Sequence, residues 1–266
     1  AFSLQIGNPN VITELTGITT VADFRQRDMA LSGQGAPLVP AFHKALFQHA
    51  VKNRVIVNIG GISNITVLPA NNNQKIAGFD TGPGNVLLDA WFEQHQHAPY
   101  DHDGFWAATG TINKDLLKHF LNDDYFKQAI PKSTGREYFN LAWLNEKLTN
   151  LTDVVLPQDV QATLAALTAQ TIAHDIQQYA NDCDAIYVCG GGAHNSYLMR
   201  LLQLRNPNIL VTTTDELGLH PDWVEATAFA WLARQTLANQ TGNLPDVTGA
   251  KRATILGGVY SSKEAS

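Results

Sequence analysis

"RVIVNIGGISNITVLP", residues 54–69, decides how the rest of the chain is read. Val55, Ile56 and Val57 form a short β-branched run that ends at Gly60 and Gly61. A second apolar run, "ISNITVLP", follows at once. Two such runs with only glycines between them predict a hairpin. After a polar turn at Asn71, Asn72 and Asn73, "KIAGFD" predicts a third strand that ends at Asp80. "TGPGN" (81–85) then leads into a helix from Asn85, with Val86, Leu87, Ala90 and Trp91 on one face.

Beyond this core the pattern alternates. "APLVPAFHKALFQHA" (36–50) has the helical period, with prolines near its start. "LAWLNEKL" (141–148) is helical. So is "PQDVQATLAALTAQTIAHDIQQYA" (157–180), where Val160, Leu164, Leu167, Thr171 and Ile176 form a stripe and Pro157 and Asp159 suit an N-terminus. "AIYVCGGG" (185–192) predicts a buried strand, "NSYLMRLLQL" (195–204) a helix, "NILVTTTD" (208–215) a strand and "DWVEATAFAWLARQTL" (222–237) a helix. Strands alternating with helices of this length indicate an α/β fold with an antiparallel hairpin inside it. Residues 94–132 have weak periodicity and receive no assignment.

The totals exclude several classes. With 24 acidic against 18 basic residues the net charge is −6. Sequence-independent nucleic-acid binding needs the opposite balance. No apolar run approaches the roughly 20 residues that span a bilayer, and "AFSLQIGNPN" lacks the features of a signal peptide. Cys183 and Cys189 read as reduced packing residues, and a cytoplasmic location is expected. The chain opens inside an apolar, extended-looking stretch, "FSLQIG", so a truncated segment of a larger fold is expected.

Two glycine turns stand out: "NIGGISN" (58–64) and "CGGGAHN" (189–195). Without a Cβ, consecutive glycines let backbone N–H groups approach a phosphate or a nucleobase. The second turn is also expected to bring a helix N-terminus to the same place. Neither matches the Walker pattern or the dinucleotide fingerprint. Each taken singly reads equally well as a tight hairpin or a close strand-to-helix turn. Asp80, at a strand end where open α/β sheets bind ligands, is the candidate general base for a water or hydroxyl nucleophile; its other reading is a helix-start or Asx-turn aspartate. "DFRQRDMALSGQGAPLVP" (23–40) offers Arg25, Arg27 and the Gly33-Gln34-Gly35 turn as sugar or anion contacts, or a surface salt bridge beside a loop. Glu225 is either a second carboxylate near a sugar or a first-turn helix acid. In "KSTGREYFN" (132–140), Arg136 and Glu137 either line a binding wall or belong to a segment that caps the next helix through Ser133 or Thr134. "EQHQHAPYDHD" (93–103) matches no zinc spacing and reads as a solvated polar loop.

"FRQRDMALSGQGAPLVPAFH", "NIGGISN", "GFDTGPGN", "PKSTGREYFN", "DVQATLAALTA" and "CGGGAHN" together resemble the anhydro-N-acetylmuramic acid kinases, over nearly the whole length. The resemblance implies the ribonuclease H-like actin/sugar-kinase fold, mostly its second lobe with remnants of the first: residues 1–29 from the first lobe, 30–243 the second, and 244–266 the return to the first. It implies ATP-dependent phosphorylation of 1,6-anhydro-N-acetylmuramic acid with opening of the anhydro ring, in peptidoglycan recycling. It implies Asp80 as general base, Arg27, Gln34 and Glu225 as substrate contacts, and Gly60, Gly61, Asn64, Gly190, Gly191, Gly192 and Asn195 as nucleotide contacts. ATP with Mg2+, an amino sugar and a homodimer are the implied partners, without nucleic acid or membrane. The family's first phosphate loop, Gly-Thr-Ser-x-Asp-Gly-x-Asp, does not occur here, so a segment lacking about a hundred residues of the first lobe is expected. That leaves the activity of this chain by itself open. It also keeps two alternatives: a non-catalytic fragment that binds a sugar or partner, and a kinase of the same superfamily with another substrate.

Overall fold

The computed structural model describes residues 5–70, 74–149 and 154–262. The predicted turn at Asn71–Asn73 lies outside the described residues, as does part of the "FSLQIG" stretch. In chain order the elements are α1 (Pro9–Thr16), β1 (Thr20–Ala22), α2 (Phe24–Ala30), α3 (Val39–Phe47), β2 (Arg54–Ile59), β3 (Ile62–Leu68), β4 (Ala77–Pro83) and α4 (Val86–Gln96). There follow α5 (Lys114–Leu121), α6 (Leu141–Thr149), α7 (Pro157–Tyr179), β5 (Ala185–Cys189), α8 (Ser196–Arg205), β6 (Leu210–Thr213), α9 (Val224–Leu237), α10 (Pro245–Thr248) and β7 (Gly258–Tyr260). They form two compact units, residues 1–47 with 225–266, and residues 48–224.

In the first unit β1 pairs antiparallel with β7, Thr20 opposite Tyr260 and Ala22 opposite Gly258. Asn8 caps α1 by accepting the Asn10 amide, Pro9 occupies its first turn, and Gly17 ends it at φ 67°, a position that suits glycine. Leu38, Leu232 and Leu256 pack together with Phe24, Phe229 and Trp231.

The second unit is built on a five-stranded mixed sheet in the order β4-β3-β2-β5-β6. β3 pairs antiparallel with both β2 and β4, while β5 and β6 continue parallel to β2. This is the α/β class with an internal hairpin that the alternation predicts. β2 sits mid-sheet, so Val55, Ile56 and Val57 are all fully buried, and all five residues of β5 are buried as expected of a parallel strand. On one face, Val55, Val57, Ile65, Ile186 and Val188 meet Ile172 and Ile176 of α7 and Leu198 and Leu202 of α8. The first half of α7 packs instead against α4, α5 and α6 through Leu164, Leu167, Leu88, Phe120 and Leu144. α7 is therefore buried on nearly every side, not along the single predicted stripe. Trp91 in α4 ties its indole N–H to the Pro157 carbonyl at 2.9 Å, fixing where α7 begins.

Candidate active site

Asp80 does not end a strand. β4 runs on through Thr81, Gly82 and Pro83, because β3 keeps pairing with it after a bulge: Asn64 lies opposite Asp80 and Ser63 opposite Gly82, which leaves Thr81 as the extra residue. Thr81 is fully buried and bonds its hydroxyl to that of Ser63. Gly82 takes φ 140°, and a Cβ there would crowd Phe126. Bulges of this kind re-aim neighbouring side chains. The Asp80 carboxylate is held by a strap, residues 132–134: the Ser133 hydroxyl and the Thr134 amide both donate to Oδ2, each at 3.0 Å. Among the described residues Oδ1 takes no hydrogen bond. The backbone is pinned as well, with the Asp80 amide on the Lys132 carbonyl at 3.1 Å and the Tyr125 hydroxyl on the Asp80 carbonyl at 2.7 Å. Burial raises the pKa of Asp80 above the usual carboxylate range, against the opposing pull of Thr134, Ser133 and Lys132. Asp80 caps no helix with its side chain; Ser133 and Thr134 serve Asp80, and Asn140 caps α6 through the Trp143 amide.

At the start of α4 three backbone amides are engaged within the chain. The amides of Gly84, Asn85 and Val86 donate to the carbonyls of Gly61, Gly60 and Gly61, at 2.9, 2.8 and 3.0 Å. A Cβ at Gly84 would collide with the Gly60 carbonyl, so that glycine serves the close approach of hairpin and strand. The helix N-terminus expected at the second glycine turn, that of α8, is set back from it. A one-turn 3-10 helix, Gly191–His194, separates it from the glycine turn, and its first amides are taken by Asn195 Oδ1, from Leu198 at 2.9 Å, and Asp103 Oδ1, from Ser196 at 2.9 Å. At α4 the acceptors are carbonyls of the distant hairpin turn, and at α8 they are capping side chains.

What remains open is a cavity of about 610 Å³, lined among others by Asn85 and Asp89 of α4, Tyr100, His102, Gly191 and His194. The 100–103 segment, read from sequence as a solvated loop, is one of its walls. Asp101 folds this wall by accepting the amides of Trp106 and Ala107, both at 2.9 Å. Burial lifts Asp89 to a pKa of about 6, with the Arg136 guanidinium acting in the opposite sense. Arg136 also lies over the hairpin: its Nε is 3.4 Å from where a Cβ of Gly61 would stand. Asp89 carried no signal in the sequence; its role depends on the fold bringing Arg136 and the 100–103 wall to α4. Asn64 sits in β3 between Asn58 and Asp80, half-buried.

Arg27, Gln34 and Glu225 belong to the first unit and are exposed. Arg27 donates to the Ile255 carbonyl at 3.1 Å, and Glu225 lies in the first turn of α9. The Gly33-Gln34-Gly35 turn is organised by Asp28, which is fully buried and accepts from the Gly35 amide at 2.9 Å and from Asn243 and Thr248 at 2.7 Å each. Arg25 closes the loop on the Gly35 carbonyl at 2.7 Å.

The family model described as anhydro-N-acetylmuramic acid kinase matches residues 1–262. The chain belongs to the anhydro-N-acetylmuramic acid kinase family. The kinase of this name from Pasteurella multocida strain Pm70 is 54% identical over 265 residues, covering 99% of this chain and 69% of the relative. That from Coxiella burnetii strain RSA 493 is 53% identical over 259 residues, 97% of this chain and 69% of the relative. Among solved structures, the activator of 2-hydroxyisocaproyl-CoA dehydratase from Clostridium difficile with bound ADPNP is 15% identical, with a TM-score of 0.41 over 71% of this chain and 61% of that one. Cys183 and Cys189 are buried, and neither forms a disulfide among the described residues. No helix among the described residues is long and apolar enough to cross a membrane.

Proposed function

We propose that this kinase transfers the γ-phosphoryl group of ATP to 1,6-anhydro-N-acetylmuramic acid while water opens the anhydro ring, giving N-acetylmuramic acid 6-phosphate for peptidoglycan recycling in the cytoplasm. Asp80 is the general base. Water adds its oxygen to C1 and passes a proton to Asp80 Oδ1; the C1–O6 bond breaks, and O6 takes the γ-phosphoryl group as ADP leaves. The proton on Asp80 then returns to solvent. Mg2+ enters with the nucleotide as counter-ion of its phosphates and is assigned to no side chain.

The observation that carries this is the state of the Asp80 carboxylate: one oxygen is fixed by two donors, the other is uncommitted, and burial makes the group a better proton acceptor than an exposed aspartate. Gly60, Gly61 and Asn64 lie on the strand pair beside it and are proposed to face the phosphates. Gly191 and Asn195 line the cavity proposed for the nucleoside, Gly190 and Gly192 of the same turn are proposed as nucleotide contacts with them, and Arg27, Gln34 and Glu225 are proposed for the sugar. The lobe division at 1–29, 30–243 and 244–266 belongs to the same proposal, as does a homodimer.

The test is turnover of the anhydro sugar with ATP by the gene product containing this chain, beside its Asp80→Asn variant. A general base is worth roughly 10²–10⁴ in rate, so turnover should fall about a thousandfold while nucleotide binding persists. An Asp80→Asn enzyme as active as the parent would overturn the assignment. A panel of other sugars checks the substrate.

A further inference from the structure

We infer that Lys132 is a positioning residue for Asp80: its buried pair with Asp175 anchors the strap that grips the carboxylate and holds a positive charge beside it. This rests on Asp80 acting as the base. Lys132 Nζ lies 3.3 Å from Asp175 Oδ2, and the two side chains are only 3% and 4% exposed. Nζ also stands 5.3 Å from the Tyr125 ring centre and 5.8 Å from that of Phe79. Residue 132 thus meets Asp80 twice, through its carbonyl on the Asp80 amide and through the two residues after it, which donate to Oδ2. Buried ion pairs add little net stability over well-packed apolar residues. A lysine and an aspartate here are accounted for by what they hold in place.

The ionisable groups around Asp80 are Lys132 on the strap, Tyr125 on the turn Asp124–Lys127, and Asp175 on α7, with His174 beside the last. Of these, Lys132 lowers the pKa of Asp80. A base works when deprotonated, so the acid limb of kcat/KM should track this charge. Removing the lysine charge moves the limb to higher pH; removing only the aspartate leaves the lysine charge unshared and moves it to lower pH.

The experiment compares kcat/KM against pH for the parent enzyme, a Lys132→Met/Asp175→Leu double variant and Asp175→Asn, with melting temperatures measured beside them. The double variant should lose kcat/KM on the acid side, recover towards pH 9, keep its KM for the sugar, and show its acid limb moved to higher pH. Asp175→Asn should shift the limb downward, which decides the matter if the double variant does not fold. Limbs that stay at the parent position in every folded variant overturn the inference, because a purely structural pair would scale the whole profile evenly. An Asp80→Asn enzyme as active as the parent overturns the base assignment itself, and this inference with it.

Discussion

The two glycine turns look alike in sequence and differ in why they are glycine. At the β5 end, Gly190 has φ 78°, and a Cβ on it would press on Asn58 Oδ1 and the Ile59 carbonyl, while one on Gly192 would collide with the Ile59 side chain. Packing against β2 therefore demands both, and only Gly191 has room, with Asn85 Nδ2 at 3.6 Å. At the hairpin, neither Gly60 nor Gly61 has a positive φ, and a Cβ at Gly60 would meet nothing closer than the Ile62 carbonyl at 3.6 Å. A hairpin of two alternating runs ordinarily uses glycine for its left-handed φ; here the backbone makes no such demand. Glycine that the fold does not need points to clearance for something outside the chain.

This contrast can be broken by substitution. The largest effect is expected at Gly190→Ala, which combines a left-handed backbone with a collision against backbone; about 3 kcal/mol of unfolding free energy should be lost, with Gly192→Ala following at about 2 kcal/mol. Urea titration measures both, and parent-like midpoints would remove the distinction between the turns.

Asp89, beside Gly191 on the cavity wall, gives a smaller and pH-dependent effect. Its pKa is raised to about 6 in the folded state, so the folded chain binds more protons than the unfolded one between about pH 4 and 6, and stability falls as pH rises through that window. Asp89→Asn should therefore stabilise the protein at pH 7 by about 1 kcal/mol, allowing for the partial exposure of the carboxylate, and by nothing near pH 4. A stability difference that does not vary with pH would contradict the assigned burial.

The smallest change in stability, within about 0.5 kcal/mol, is expected for Gly60→Ala. Its KM for ATP should nevertheless rise about tenfold. If stability falls instead and KM holds, the hairpin glycines are structural and the comparison collapses.

The strands and helices were legible where local pattern suffices: the β2–β3 hairpin, β5 and α7 each carry their own periodicity and punctuation. The grip on Asp80 was not. Ser133 and Thr134 lie 53 and 54 residues from it, and the Ser-Thr pair reads locally as a cap. The 100–103 wall was missed for the same reason, since Asp101 organises it by accepting two amides that sequence cannot show to be pointing its way.

By itself, the sequence determined the alternation of elements, the two glycine turns and the presence of a carboxylate beside them, because periodicity, turn chemistry and residue type act over a few neighbours. Tertiary structure alone decided that β4 runs past Asp80, that amides at the starts of α4 and α8 are engaged within the chain, and that Oδ1 of Asp80 is left uncommitted. Those outcomes depend on which distant carbonyls and hydroxyls reach a given N–H or carboxylate first, and only the packed chain brings them within hydrogen-bond range.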